Sequence, residues 1–64
     1  MFKEYRIKKG YTQEKVAEAL GISTRHYQRL EEEPKRLPSF ELFKKIVKVL
    51  EIEDKDIVKY IKNK

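Results

Sequence analysis

Apolar residues in this chain recur at three- and four-residue spacings, and the runs are punctuated by its glycines, Gly10 and Gly21, and its prolines, Pro34 and Pro38. That pattern predicts short amphipathic helices. In the first, about Phe2 to Lys9, Phe2 and Tyr5 share a face among Lys3, Arg6, Lys8 and Lys9, and Gly10 supplies the stop. Thr12 is the expected N-cap of the second. Gln13 and Glu14 open that helix where its dipole favours negative charge, and Val16, Ala17 and Leu20 form its apolar stripe before Gly21. Ser23 caps a third helix, about Thr24 to Glu32, which turns Tyr27 and Leu30 inward and Thr24, Arg25, Gln28 and Arg29 outward.

Beyond the Pro34 to Pro38 loop, Ser39 is the expected cap of a fourth helix, in which Phe40, Phe43, Ile46, Val47 and Leu50 have the spacing of a buried stripe. A fifth, about Asp54 to Lys62, is expected to take Asp54 as its cap, to turn Ile57, Val58 and Ile61 inward and to leave Lys55, Lys59 and Lys62 outside. The expected fold class is all-α, a compact bundle of five short helices forming a single domain over residues 1–64. Only Gly21, Ile22 and Ser23 separate the second helix from the third, so that pair must cross steeply. Ala17, four residues before Gly21, is small where a larger side chain would push the two apart. An apolar Ile22 in the turn fits a turn packed on the core.

Composition narrows the chemistry. At 64 residues the chain has room for one domain and none for an internal active-site cleft. It has no cysteine, which excludes a disulfide framework and a thiolate zinc site. No apolar run approaches the length of a membrane span or a signal peptide, so a soluble, cytoplasmic protein is expected. Lys and Arg number 16 against 11 Asp and Glu, a net charge of +5, which suits a polyanionic partner. Charge alone does not decide this, because many helical proteins are lysine-rich for solubility.

The run TQEKVAEALGISTRHYQRLE, Thr12 to Glu31, resembles the helix-turn-helix of the phage-repressor-like (XRE-type) family that includes the lambda and 434 repressors and the Cro proteins. Gln13, Ala17, Gly21, Leu30 with Glu31, and Pro38 with Ser39 carry the resemblance, which extends from Phe2 to Ile52. It implies a transcriptional regulator, a repressor in the commoner case, whose third helix enters the major groove of an operator. Thr24, Arg25, Gln28 and Arg29 then fall where base edges are read; Arg suits guanine O6 and N7, and Gln suits adenine N6 and N7. Gln13 and Ser23 match backbone-anchoring positions, and Lys35, Arg36 and the amides near Ser39 and Phe40 match a second phosphate clamp. Arg6 and Glu31 match a salt-bridged pair, which makes both structural. The resemblance also implies a homodimer, one recognition helix per half-site, with Leu37, Ile52 and the surface from Asp54 to Val58 at the two-fold contact.

Two positions depart from the family pattern. Glu32, Glu33 and Pro34 stand where a glycine often follows the Leu-Glu pair, so the loop must turn without glycine's positive φ, and two acids lie near a phosphate path. Tyr27 stands where Ile or Val usually faces the core, and its hydroxyl requires a partner or a route to solvent.

Blander readings compete at several residues. Arg25 and Arg29 could be an exposed face paired with nearby glutamates. His26, without cysteine or a paired carboxylate, makes no metal site, and the acidic residues from Glu51 to Asp56 lack the glycine and alternating oxygens of a calcium loop. The aromatic residues Phe2, Tyr5, Phe40 and Phe43 have core spacing rather than that of a single-strand stacking platform. Lys59, Lys62 and Lys64 sit where a helix dipole favours cations and need no ligand. No nucleophile, acid and base can be matched, so no enzyme, cofactor, metal or small-molecule ligand is expected. The rival to DNA reading is a protein-interaction module, such as the antitoxin of a toxin-antitoxin pair.

Overall fold

Three hydroxyls open three of the helices. Thr12 Oγ1 accepts from the Lys15 amide at 3.0 Å, Ser23 Oγ from the His26 amide at 3.0 Å, and Ser39 Oγ from the Leu42 amide at 3.2 Å, each satisfying one of the donors a helix start leaves unpaired. The computed structural model describes residues 1–33 and 37–62, and in them the chain forms α1 (Phe2–Lys9), α2 (Gln13–Leu20), α3 (Thr24–Glu32), α4 (Phe40–Leu50) and α5 (Asp54–Lys62). Among the described residues there is no strand. No described helix is long and apolar enough to cross a membrane.

Left-handed residues close the first two helices. Gly10 and Gly21 have φ of 76° and 74°, and the amides that follow them reach back, Tyr11 to the Arg6 carbonyl at 3.1 Å and Ile22 to that of Ala17 at 3.0 Å. The second of these stops sets the α2–α3 corner, with Ile22 packed against the core as its apolar character suggested. α4 ends in the same way on a residue that does not favour it: Glu51 has φ 54°, with the Ile52 amide bonded to the Val47 carbonyl at 3.1 Å. α3 ends without a left-handed residue, on an extended Glu33 (φ −109°) whose amide bonds the Arg29 carbonyl at 2.9 Å.

The core gathers Phe2, Val16, Ala17, Leu20, Tyr27, Leu30, Ile46, Leu50 and Ile52. α2 lies between α3 and α4, and α1 closes over α4 and α3. Ala17, 1% exposed, sits in the α2 face that the other helices cover, which is why no longer side chain fits there. Burial of the fully enclosed aliphatic side chains Val16, Ile46 and Leu50 stabilises the fold by about 1.5–3 kcal/mol each before ordering costs.

Several sequence expectations are corrected. Phe40 lies in line with the α4 stripe but is 71% exposed, because the packing begins with Leu42 and Phe43; its ring carries the Lys44 ammonium 5.2 Å from its centroid. In α5 the inward face is turned from the expected one: Val58 and Ile61 are 50% and 57% exposed, while Ile57 and Tyr60 pack on the core. The Tyr60 ring stacks on Phe43 at 5.1 Å and lies 5.7 Å from Phe2, and this aromatic contact decides the rotation of α5. Asp54 is the first helical residue of α5 rather than its cap; the Glu53 carbonyl receives the Asp56 and Ile57 amides at 3.0 and 3.1 Å.

Candidate nucleic-acid interface

Helix geometry divides the outer surface of α3 into two strips. Thr24 and Gln28, one turn apart and half-buried, lie on the side toward the start of α2, where Gln28 meets Gln13. Arg25, His26 and Arg29 are exposed and, with Ser23, ring a shallow depression of about 260 Å³. Among the described residues neither Arg25 nor Arg29 has an ion-pair partner, so the reading in which glutamates neutralise them does not hold there. Two guanidinium groups without an ion-pair partner among the described residues concentrate positive charge on the outer face of α3.

The backbone-anchoring candidates fall at helix starts. Gln13 is the first residue of α2, Ser23 the cap of α3, Ser39 the cap of α4 and Phe40 its first residue. The Ser23 and Ser39 hydroxyl oxygens accept from the His26 and Leu42 amides, which leaves their O–H hydrogens for another acceptor. The first-turn amides beside them have no carbonyl one turn earlier to bond, so these starts are donor-rich. Lys35 and Arg36 lie outside the described residues. Of the two-fold contact candidates, Leu37 and Val58 are exposed at 48% and 50%, but Ile52 is 6% exposed inside the core and is withdrawn from that role. The core needs Ile52 because the Glu51 turn points the chain back across α4.

Beneath α3 lies a polar network. Arg6 Nε donates to Glu31 Oε2 at 2.7 Å and Arg6 Nη2 to Oε1 at 3.3 Å, while Arg6 Nη1 holds the Tyr11 carbonyl at 2.9 Å. The bridge between α1 and α3 that the resemblance implied is thus present, with the Glu31 side chain 2% exposed. Gln13 Nε2 adds a third bond to this carboxylate at 3.0 Å, and Gln13 Oε1 accepts from Gln28 Nε2 at 3.2 Å. Burial by itself would raise the Glu31 carboxyl; Arg6 first, then the neighbouring Tyr27 hydroxyl and Gln13, outweigh it and hold the group below its ordinary range. Glu31 in turn raises the Arg6 guanidinium.

The sequence points to Gln13 and Gln28 as two independent DNA ligands, whereas the structure joins them by a hydrogen bond. Fifteen positions separate them, and no local periodicity signals a contact across the α2–α3 corner. Tyr27 was expected to find a partner or a route to solvent and has neither: its hydroxyl is buried beside the Arg6–Glu31 pair without a hydrogen bond. Burial first, and the neighbouring Glu31 carboxylate second, push its phenol far above the usual range.

No curated protein and no solved structure matches this chain. The Helix-turn-helix family does match, over residues 2–57, from the start of α1 into α5. With most of its length covered by that match and its two-glycine frame and α2–α3 corner in place, the chain belongs to the Helix-turn-helix family of phage-repressor type, a family of DNA-binding transcription regulators.

Proposed function

We propose that the protein reads a specific duplex sequence with α3 in the major groove and regulates transcription as a repressor. The observation that carries this reading is the pair of exposed guanidinium groups of Arg25 and Arg29, without an ion-pair partner among the described residues, on a helix held at a fixed corner. Thr24, Arg25, Gln28 and Arg29 contact base edges, the arginines favouring guanine. Gln13, Ser23, Ser39 and the Phe40 amide, with Lys35 and Arg36, hold the flanking phosphates and set the register. These helix starts favour anions for the dipole and free-amide reasons given above.

A homodimer places two copies of α3 about 34–36 Å apart on successive major-groove turns. The exposed Leu37 and Val58 are the apolar groups available for its two-fold contact. The test is selection from a randomised duplex pool at about 150 mM salt, where specific binding exceeds non-specific binding by typically 10³-fold or more. The expected product is a palindrome whose bases relax in Arg29→Ala. Weak binding that selects no motif and falls steeply with salt leaves a generic basic surface, and a protein-interaction role such as that of an antitoxin takes its place.

A further inference from the structure

Left-handed helix stops suit glycine, and the α4–α5 connection makes one without it. Glu51 holds φ 54°, and from Ser39 to Lys64 the sequence contains neither glycine nor proline. Glu51, Ile52 and Glu53 are all compatible with a helix, so nothing local in the chain prevents α4 from running straight on into α5. The bend is imposed from outside. Two α1 side chains one turn apart grip it: Lys9 Nζ lies 2.6 Å from Glu51 Oε2, while the Tyr5 hydroxyl accepts the Glu53 amide at 3.1 Å and donates to Asp56. Packing beside this grip is loose, with open hollows of about 330 and 250 Å³, both lined by Tyr5, Lys8 and Glu53. α5 itself contributes no buried residue and rests on Ile57 and on the Tyr60 ring against Phe43 and Phe2. A second copy of the chain can supply each of these contacts equally well.

We propose that Glu51 is a hinge and that α5 exchanges between two copies of this chain, each α5 docking on α1 and α4 of the other. In the exchanged dimer the Asp56, Ile57 and Tyr60 contacts are made again across the two copies. Glu51 leaves the left-handed region and joins a straightened α4–α5 helix. Short connections under strain favour such an exchange, because it keeps the contacts and releases the strain. The two connections pass each other at the two-fold axis, where each Ile52 covers the other. None of the residues assigned to DNA lies in α5, so the exchange does not rest on the DNA-reading role. It is also a different dimer from the face-to-face contact through Leu37 and Val58.

The experiment compares Glu51→Ala with Glu51→Gly. Both remove the ion pair to Lys9, and they differ only in backbone preference: alanine favours the straight helix and glycine the left-handed bend. Circular dichroism establishes that both fold, and sedimentation equilibrium gives the proportions of monomer and dimer. Because a dimer contains two hinges, Glu51→Ala is expected to associate at least about tenfold more tightly than Glu51→Gly. A dimer is then formed from equal amounts of isotope-labelled and unlabelled Glu51→Ala chains. Nuclear Overhauser contacts between the Tyr60 and Phe43 rings are expected between its two copies. Equal association of the two variants, or a Glu51→Ala chain that remains monomeric, overturns the inference. A Glu51→Ala dimer in which Tyr60 meets Phe43 only within one copy overturns it as well and leaves the face-to-face dimer in its place.

Discussion

Tyr5 in α1 and Asp56 in α5, 51 positions apart, are joined by a hydrogen bond from the phenol to the Asp56 carboxylate, and the same hydroxyl accepts the Glu53 amide at 3.1 Å. One side chain therefore ties down both the start of α5 and its first turn. The neighbouring carboxylate raises the Tyr5 phenol, as expected for a donor held by an anion. Apart from this latch, α5 is held by Ile57 and by the Tyr60 ring against Phe43 and Phe2. Tyr5→Phe is expected to speed amide hydrogen exchange across α5 before it affects α2 or α3. Exchange that rises equally in all helices would show that α5 has no separate stability.

Acid is expected to destabilise the protein through Glu31. Its carboxyl titrates at an ordinary 4.5 in the unfolded chain and lower in the folded one, so the stabilisation is complete above that value and is lost as pH falls through the folded-state pKa. Thermal unfolding from pH 6 down to pH 2 should show this loss, and Glu31→Gln should flatten it. Arg6→Ala, which leaves the carboxylate buried without its cation, is expected to cost about 3 kcal/mol or more. An unchanged acid slope in Glu31→Gln would place the sensitivity elsewhere.

The unbonded Tyr27 hydroxyl gives an expectation of opposite sign to most core substitutions. A buried hydroxyl without a partner costs about 1–3 kcal/mol, and Tyr27→Phe keeps the ring while removing it. The variant is therefore expected to be more stable by about 1 kcal/mol, read from urea unfolding. A loss of stability would mean that the hydroxyl is bonded in solution. Leucine at the same position would test the ring itself, which is fully buried in the core.

Glu51 holds a left-handed conformation that costs an L-residue about 1–2 kcal/mol relative to glycine. Glycine gives part of this back as greater freedom of the unfolded chain, and its use here also removes the Lys9–Glu51 ion pair, which contributes little because its Glu51 end is exposed. Glu51→Gly is expected to stabilise the protein by up to about 1 kcal/mol, seen as a higher Tm. A lower Tm would mean that the ion pair at 2.6 Å outweighs the backbone strain.

Helix positions and ends were legible in the sequence because they depend on neighbours in the chain. Thr12, Ser23 and Ser39 cap with their own side chains, Gly10 and Gly21 stop helices through their own φ, and the i to i+4 spacing identifies the faces of α2 and α3. The exposure of Arg25 and Arg29 was legible for the same reason, whereas the half-burial of Thr24 and Gln28 beside them was not. Periodicity gives the direction a side chain takes but not whether anything waits there. Phe40 points along the core stripe into solvent, and α5 is turned so that Tyr60 rather than Val58 meets the core.

What tertiary structure alone decided are the pairings across long separations. Tyr5 with Asp56, Gln13 with Glu31 and Gln28, and Ile52 folded inward rather than left for a partner all depend on how helices cross. A hydrogen bond needs its atoms placed within a few tenths of an ångström, whereas a sequence pattern fixes only which way each helix faces.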